Sequence, residues 1–212
     1  MTQPDLTAAL ALTGPVATLK LYREWAATYD AGFAADMQYN LPAHVARAFL
    51  SAGGAGPVLD IGAGTGLLAR SLTDMGLTAP IDGLDFSTEM LARAGEKRLY
   101  RRLIHADVTK ALPLPRQYDG ITSSGTFTSG HVGPEAFAPM LAIARPGALF
   151  ALSINQRVWR EMGFDTALND LQQTNRIHGL QLIEVAVYGT AAQTLDPAHA
   201  NDRAWIALFR AT

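Results

Sequence analysis

The 212-residue sequence has no cysteine, which excludes disulfide bridges, thiolate metal sites and a cysteine nucleophile, and makes a reducing cytoplasm the expected setting. Charge is sparse as well. Lys and Arg number 17 against 19 Asp and Glu, for a formal net charge of -2, and the only dense basic run is Lys97, Arg98, Arg101 and Arg102. Binding a polyanion needs a basic face that releases counterions, so no nucleic-acid partner is expected and this run reads as solvated surface. Long apolar runs are also missing. The stretch from Ala8 to Leu12 falls far short of the ~20 residues a membrane span needs, and Asp5 stands where a leader would be basic, so neither signal peptide nor membrane partner is expected. The five histidines show no ligand spacing, and no metal site is expected.

What is present describes a folded chain. With 49% hydrophobic and 17% charged residues the sequence can bury one sizeable core, and residues 1–212 read as a single domain. Leu21, Trp25, Tyr29, Phe33 and Met37 recur every fourth position, which predicts an amphipathic helix over Val16 to Met37. Pro42 to Leu50 reads as a second helix, and Gly53 to Pro57 as the loop that ends it. Short apolar runs then follow at Val58–Ile61, Pro80–Asp85, Leu103–Ala106, Tyr118–Thr122 and Gly147–Ile154, alternating with helical stretches. That alternation implies parallel strands joined by crossover helices. Leu180–Tyr188 and Ala204–Phe209 come last, with a polar loop and no helix between them, so they form a closing hairpin. The expected fold is α/β, a doubly wound, mostly parallel seven-stranded sheet of Rossmann-like type that ends in an antiparallel hairpin.

The chemistry sits at strand ends. Val58 to Gly66 reads as an apolar strand running into a glycine turn, a place where ligands touch main-chain atoms in open α/β sheets. Its spacing is Gly-x-Gly-x-Gly, with Leu67 where a dinucleotide fingerprint has its third glycine, and no phosphate-loop lysine follows. Asp60, two residues before Gly62, would repel a pyrophosphate and attract a cation. S-adenosylmethionine, which carries a sulfonium and an ammonium and no phosphate, suits such a turn. Asp85 ends the second run and can accept both ribose hydroxyls, with Phe86 beside it for the adenine and Ser87 placed as a helix N-cap. Asp107 ends the third run, where it can accept the adenine amine.

These segments, Val58–Gly66, Gly83–Ser87 and Ala106–Val108, resemble successive motifs of the class I S-adenosylmethionine-dependent methyltransferases, and the likeness extends over most of the chain. Within that superfamily, residues 22–30 and 123–134 resemble the Williams-Beuren-region methyltransferase-like proteins. The resemblance implies that Asp60, Gly62 and Gly64 line the methionine part of S-adenosylmethionine, Asp85 and Phe86 the ribose and adenine, and Asp107 with Val108 the adenine edge. It also implies that Ser123, after the fourth strand, lies near the sulfonium. A small-molecule acceptor is expected. His131, in the glycine-bounded loop after that strand, is the candidate general base, with a cap of the helix beyond Pro134 or a positioning group as the alternative. The helices within residues 1–53 are the candidate lid, with Tyr29 bordering the transfer site. Trp159 and Arg160 are candidates for the acceptor pocket. The chain is expected to be a monomer or homodimer. A non-catalytic S-adenosylmethionine-binding sensor or partner protein, and an NAD-dependent oxidoreductase, are the competing readings.

Overall fold

The computed structural model describes Gly32 and residues 34–212. Helix α1 (Leu41–Ser51) starts with Pro42 in its first turn, where no amide bond is lost, and buries Leu41, Val45, Ala46 and Phe49 along one stripe. Then come β1 (Val58–Ile61), α2 (Leu67–Asp74), β2 (Ile81–Asp85), α3 (Thr88–Glu96), β3 (Arg102–His105) and β4 (Tyr118–Phe127). A 3-10 turn (Pro134–Ala136) leads to α4 (Phe137–Ile143), β5 (Ala144–Asn155), α5 (Phe164–Gln173), β6 (Ile177–Ala186), α6 (Ala192–Leu195) and β7 (Arg203–Ala211).

All seven strands join one sheet in the order β3-β2-β1-β4-β5-β7-β6. Only β7 runs against its neighbours, antiparallel to both β5 and β6. The expected seven-stranded, mostly parallel fold with a closing hairpin is therefore what forms. Two local differences stand out. The single-turn helix α6 interrupts the polar loop between β6 and β7, and β3 reaches β4 through turns with no helix between them.

Strand periodicity divides the core in two. In β5, Phe150, Leu152 and Ile154 face one side with Phe137 and Met140 of α4 and Phe164 and Leu168 of α5, while Leu149 and Ala151 face the other. On that second side Val45 and Phe49 of α1 and Leu68, Ala69 and Leu72 of α2 cover Val58 and Ile81. Helices on both faces bury β1 along its whole length, and Asp60 with it.

Among the described residues no helix is long and apolar enough to cross a membrane. The basic run is not simple solvated surface. Arg101 and Arg102 both reach fully buried Asp82 in β2, with bonds of 2.8 and 2.7 Å to one carboxylate oxygen, and the Tyr118 hydroxyl donates to the same oxygen at 2.8 Å.

Candidate functional site

The strand order reverses between β1 and β4, where successive connections leave in opposite directions and open a crevice at the carboxyl ends of the strands. A cavity of about 620 Å³ lies there. Its floor is the turn from Gly62 to Thr65, its walls are the ends of β2 and β3 with the residues that follow, and its far side is the end of β4 with the loop to Glu135.

Gly62 is required by both conformation and space. Its φ is +65°, in the left-handed region, and a Cβ there would collide with Thr126. Gly64 turns its amide toward β2 and donates to Asp85 Oδ2 at 2.7 Å, while the Ser87 amide donates to Asp85 Oδ1 at 2.8 Å. Two main-chain donors thus lock the Asp85 carboxylate, leaving lone pairs on each oxygen for a ligand. Burial pushes the Asp85 carboxyl above the usual range, against the pull of those amide bonds. Ser87 caps α3 by accepting from the Met90 amide at 3.2 Å, so the cap falls on Ser87 and leaves Asp85 for the cavity.

Phe86 is 42% exposed and lies against the His105 ring, an open apolar plate on the cavity wall. Asp107 accepts from the Thr109 amide and hydroxyl through Oδ1, at 2.9 and 2.6 Å. Val108 sits beside it on the same wall.

On the far side His131 approaches the Ser129 carbonyl with Nδ1 at 2.7 Å. A carbonyl only accepts, so Nδ1 carries the hydrogen and the lone pair of the neutral ring is on Nε2. Burial holds the His131 pKa below the usual value.

Of the residues the sequence singled out, Gly62, Gly64, Asp85, Phe86, Asp107, Val108 and His131 line this one cavity. Asp60 and Ser123 do not. Asp60 is 1% exposed and lies beneath the turn, where Tyr100 donates to its Oδ2 at 2.8 Å; Ser123 is fully buried and donates to the Ile61 carbonyl. Their place at the end of the strand set is right, but the alternation of the strand turns their side chains into the core. Trp159 packs against Trp205, away from the cavity, and Arg160 does not line it either. Tyr29, with most of the helix expected around it, lies outside the described residues.

Sequence reasoning missed Tyr39, Ser124, Thr126, Lys110 and Glu135, all of which line the cavity. Ser124 and Thr126 reach it because β4 departs from regular register with β5 between Ser123 and Phe127. Tyr39 stands across from this bulge with its hydroxyl 3.5 Å from Ser124 Oγ, and burial pushes its phenol up to about 12. It is a donor and not a base at neutral pH.

Residues 58–147 match the family model described as a methyltransferase domain. No curated protein matches the sequence. Solved structures share the fold of the domain and its flanks at low identity. The N-methyltransferase NodS from Bradyrhizobium japonicum, in complex with S-adenosyl-L-homocysteine, is 17% identical at a TM-score of 0.64, over 91% of this chain and 97% of that one. The magnesium protoporphyrin IX methyltransferase ChlM from Synechocystis PCC 6803, with bound SAM, is 15% identical at 0.57, over 82% and 80%. The (4+2)-cyclase SpnF is 17% identical at 0.62, over 94% and 98%. The last of these has the same fold with a different reaction in its name, so the fold alone does not decide the chemistry of this cavity.

The residues that line the cavity fit S-adenosylmethionine. Asp85 and Asp107 project two carboxylates at one wall, Phe86 offers an apolar plate, and the glycine turn brings bare backbone to the floor. Beneath that floor Asp60 Oδ1 is a buried oxygen without a hydrogen-bond partner, matched to a cation and not to a pyrophosphate.

Proposed function

We propose that the protein is a class I S-adenosylmethionine-dependent methyltransferase acting on a small-molecule acceptor. The observation that carries this reading is the convergence of the glycine turn, Asp85, Asp107 and His131 on one 620 Å³ cavity at the switch point of the sheet. Bound there, S-adenosylmethionine supplies a methyl group on a sulfonium, ready for in-line displacement by an oxygen, nitrogen or carbon nucleophile.

The residues of this chain do the rest. Asp85 takes the ribose hydroxyls, Phe86 covers the adenine, and Asp107 accepts from its amine, so the cofactor is gripped at the end opposite the reaction. On the far side the acceptor lies between Tyr39 and His131. Holding the two reactants in line contributes roughly 7 to 11 kcal/mol in favourable cases. His131 Nε2 takes the acceptor's proton as the new bond forms, and the Tyr39 hydroxyl donates a hydrogen bond to the acceptor. The likeness of residues 123–134 to the Williams-Beuren-region methyltransferase-like proteins supports a small-molecule architecture of this type. The absence of cysteine and of a broad basic face favours a cytoplasmic enzyme without a nucleic-acid partner, working as a monomer or homodimer.

Calorimetric titration with S-adenosylmethionine, S-adenosylhomocysteine and NAD tests the reading, repeated with Asp85→Ala. Micromolar binding of the first two, lost in the variant, is the expected result, followed by turnover to S-adenosylhomocysteine once acceptors are screened. Preference for NAD would overturn it.

A further inference from the structure

Two buried polar atoms on the strands below the glycine turn have no hydrogen-bond partner among the described residues, Asp60 Oδ1 and Thr122 Oγ1. Asp60 and Thr122 are register partners in β1 and β4, so their side chains leave the same face of the sheet side by side. Buried polar atoms left unpaired in this way call for a ligand or a water. On the other flank of Asp60 its register partner in β2 is Gly83, and the space a side chain would fill is taken by Tyr100: a Cβ on Gly83 would lie 2.8 Å from Tyr100 Cε1. The same ring lies under the turn, 3.1 Å from where a Cβ of Gly66 would stand. From this position the Tyr100 hydroxyl donates to Asp60 Oδ2 at 2.8 Å. Lys97, at the end of α3, donates through Nζ to the Thr65 carbonyl of the turn. The segment following α3 therefore braces the cofactor turn from below through a ring, a hydroxyl and an ammonium.

We propose that Tyr100 is a positioning residue for the cofactor: its hydroxyl holds one oxygen of Asp60 so that the other is presented, through the thin glycine turn, to the ammonium of the cofactor's amino-acid part, directly or across one bridging water. This rests on the cofactor reading above. The titratable groups facing Asp60 are Tyr100 itself and Asp85, with Lys97 on the turn; α1 and α2 cover this face with Val45, Phe49, Leu68 and Leu72. Burial raises the Asp60 carboxyl to about 7, the Tyr100 bond pulls the other way, and Asp85 adds to the rise. A cation favours the ionised carboxylate. Binding of an ammonium-bearing ligand therefore strengthens as pH rises through neutrality.

Phenylalanine at position 100 keeps the ring under the glycines and removes only the hydroxyl. The test is calorimetric titration of the whole chain with S-adenosylhomocysteine and with 5′-methylthioadenosine, which keeps the adenosine and sulfur and lacks the amino acid. Wild type, Tyr100→Phe and Asp60→Asn are compared between pH 6 and 8. In the wild type the ratio of the two affinities rises about 3- to 10-fold across that range, while any effect of Asp85 on the shared ribose cancels. In Tyr100→Phe the ratio at pH 7 falls about 3- to 10-fold with the methylthioadenosine affinity unchanged, and in Asp60→Asn the pH dependence of the ratio disappears. Equal weakening of both ligands in Tyr100→Phe would show a merely structural tyrosine and overturn the proposal, as would a ratio independent of pH in the wild type. If the wild type binds neither ligand, the cofactor reading falls and this proposal with it.

Discussion

His131 and Asp85 show how single side chains in this site are set by their main-chain partners. The Ser129 carbonyl holds the proton on His131 Nδ1, which puts the lone pair of the ring on Nε2, and burial lowers the pKa so that the ring stays neutral to a lower pH. The rate should therefore lose activity on the acid side only below the ordinary histidine value of ~6.5, as the imidazole takes up its proton. In His131→Ala this acid limb disappears and kcat falls about 100- to 10,000-fold, with S-adenosylhomocysteine affinity retained; measured pH–rate profiles on both proteins decide it. The acids at positions 85 and 107 were legible in the sequence because Asp85 ends one strand and Asp107 stands just past the next, and strand ends face the crevice. Tyr39 was not legible. It reaches the cavity from a turn in which Gln38 has a left-handed φ of 49°, and no periodicity anticipates such a turn.

Asp82 is where separate elements are tied together. It lies in β2, its arginine partners stand at the entry to β3, and its tyrosine partner begins β4. Although burial alone would raise its carboxyl, the bonds from Arg101, Arg102 and Tyr118 hold it down at about 2. A carboxyl whose folded pKa is depressed contributes stability that is present above its unfolded pKa and is lost as pH falls through the folded one. For Asp82 that window runs from about pH 4 down to about pH 2, and the contribution is about 2 kcal/mol. Asp82→Asn should accordingly be less stable than wild type by about that amount in urea unfolding at pH 7, and the gap should narrow at pH 3. Equal gaps at both pH values would assign the effect to packing. The strands themselves were readable from apolar runs. The extension of β4 to Phe127 was not, because Ser123 to Thr126 are polar and belong to the strand only through a bulge against β5.

The whole molecule places its cavity at the carboxyl ends of the strands, above the core. Ligand occupying that cavity binds the folded state and not the unfolded chain, so it raises the melting temperature. At 100 times its dissociation constant S-adenosylhomocysteine should add about 2.7 kcal/mol, which for a chain of this size corresponds to roughly 5 to 10 °C. Differential scanning fluorimetry with S-adenosylhomocysteine and with NAD reads this directly, and NAD is expected to leave the transition in place. A shift of the same size with both would argue that the glycine turn does not discriminate against pyrophosphate.

The succession of strands, the mostly parallel sheet, the closing hairpin and the glycine turn were determined by the sequence alone, because each depends on local periodicity or on residues adjacent in the chain. Tertiary structure decided which of those residues line the cavity. Asp60 and Ser123 stand at the right strand ends, yet pleating points them inward, to Tyr100 and to the Ile61 carbonyl. Ser124, Thr126 and Tyr39 reach the cavity instead, through a bulge and a left-handed turn whose geometry is enforced by packing between segments distant in the chain. Arg101 and Arg102 of the basic run met Asp82 only when β2 and β3 came together, since an ion pair between neighbouring strands has no signature in the spacing of either one.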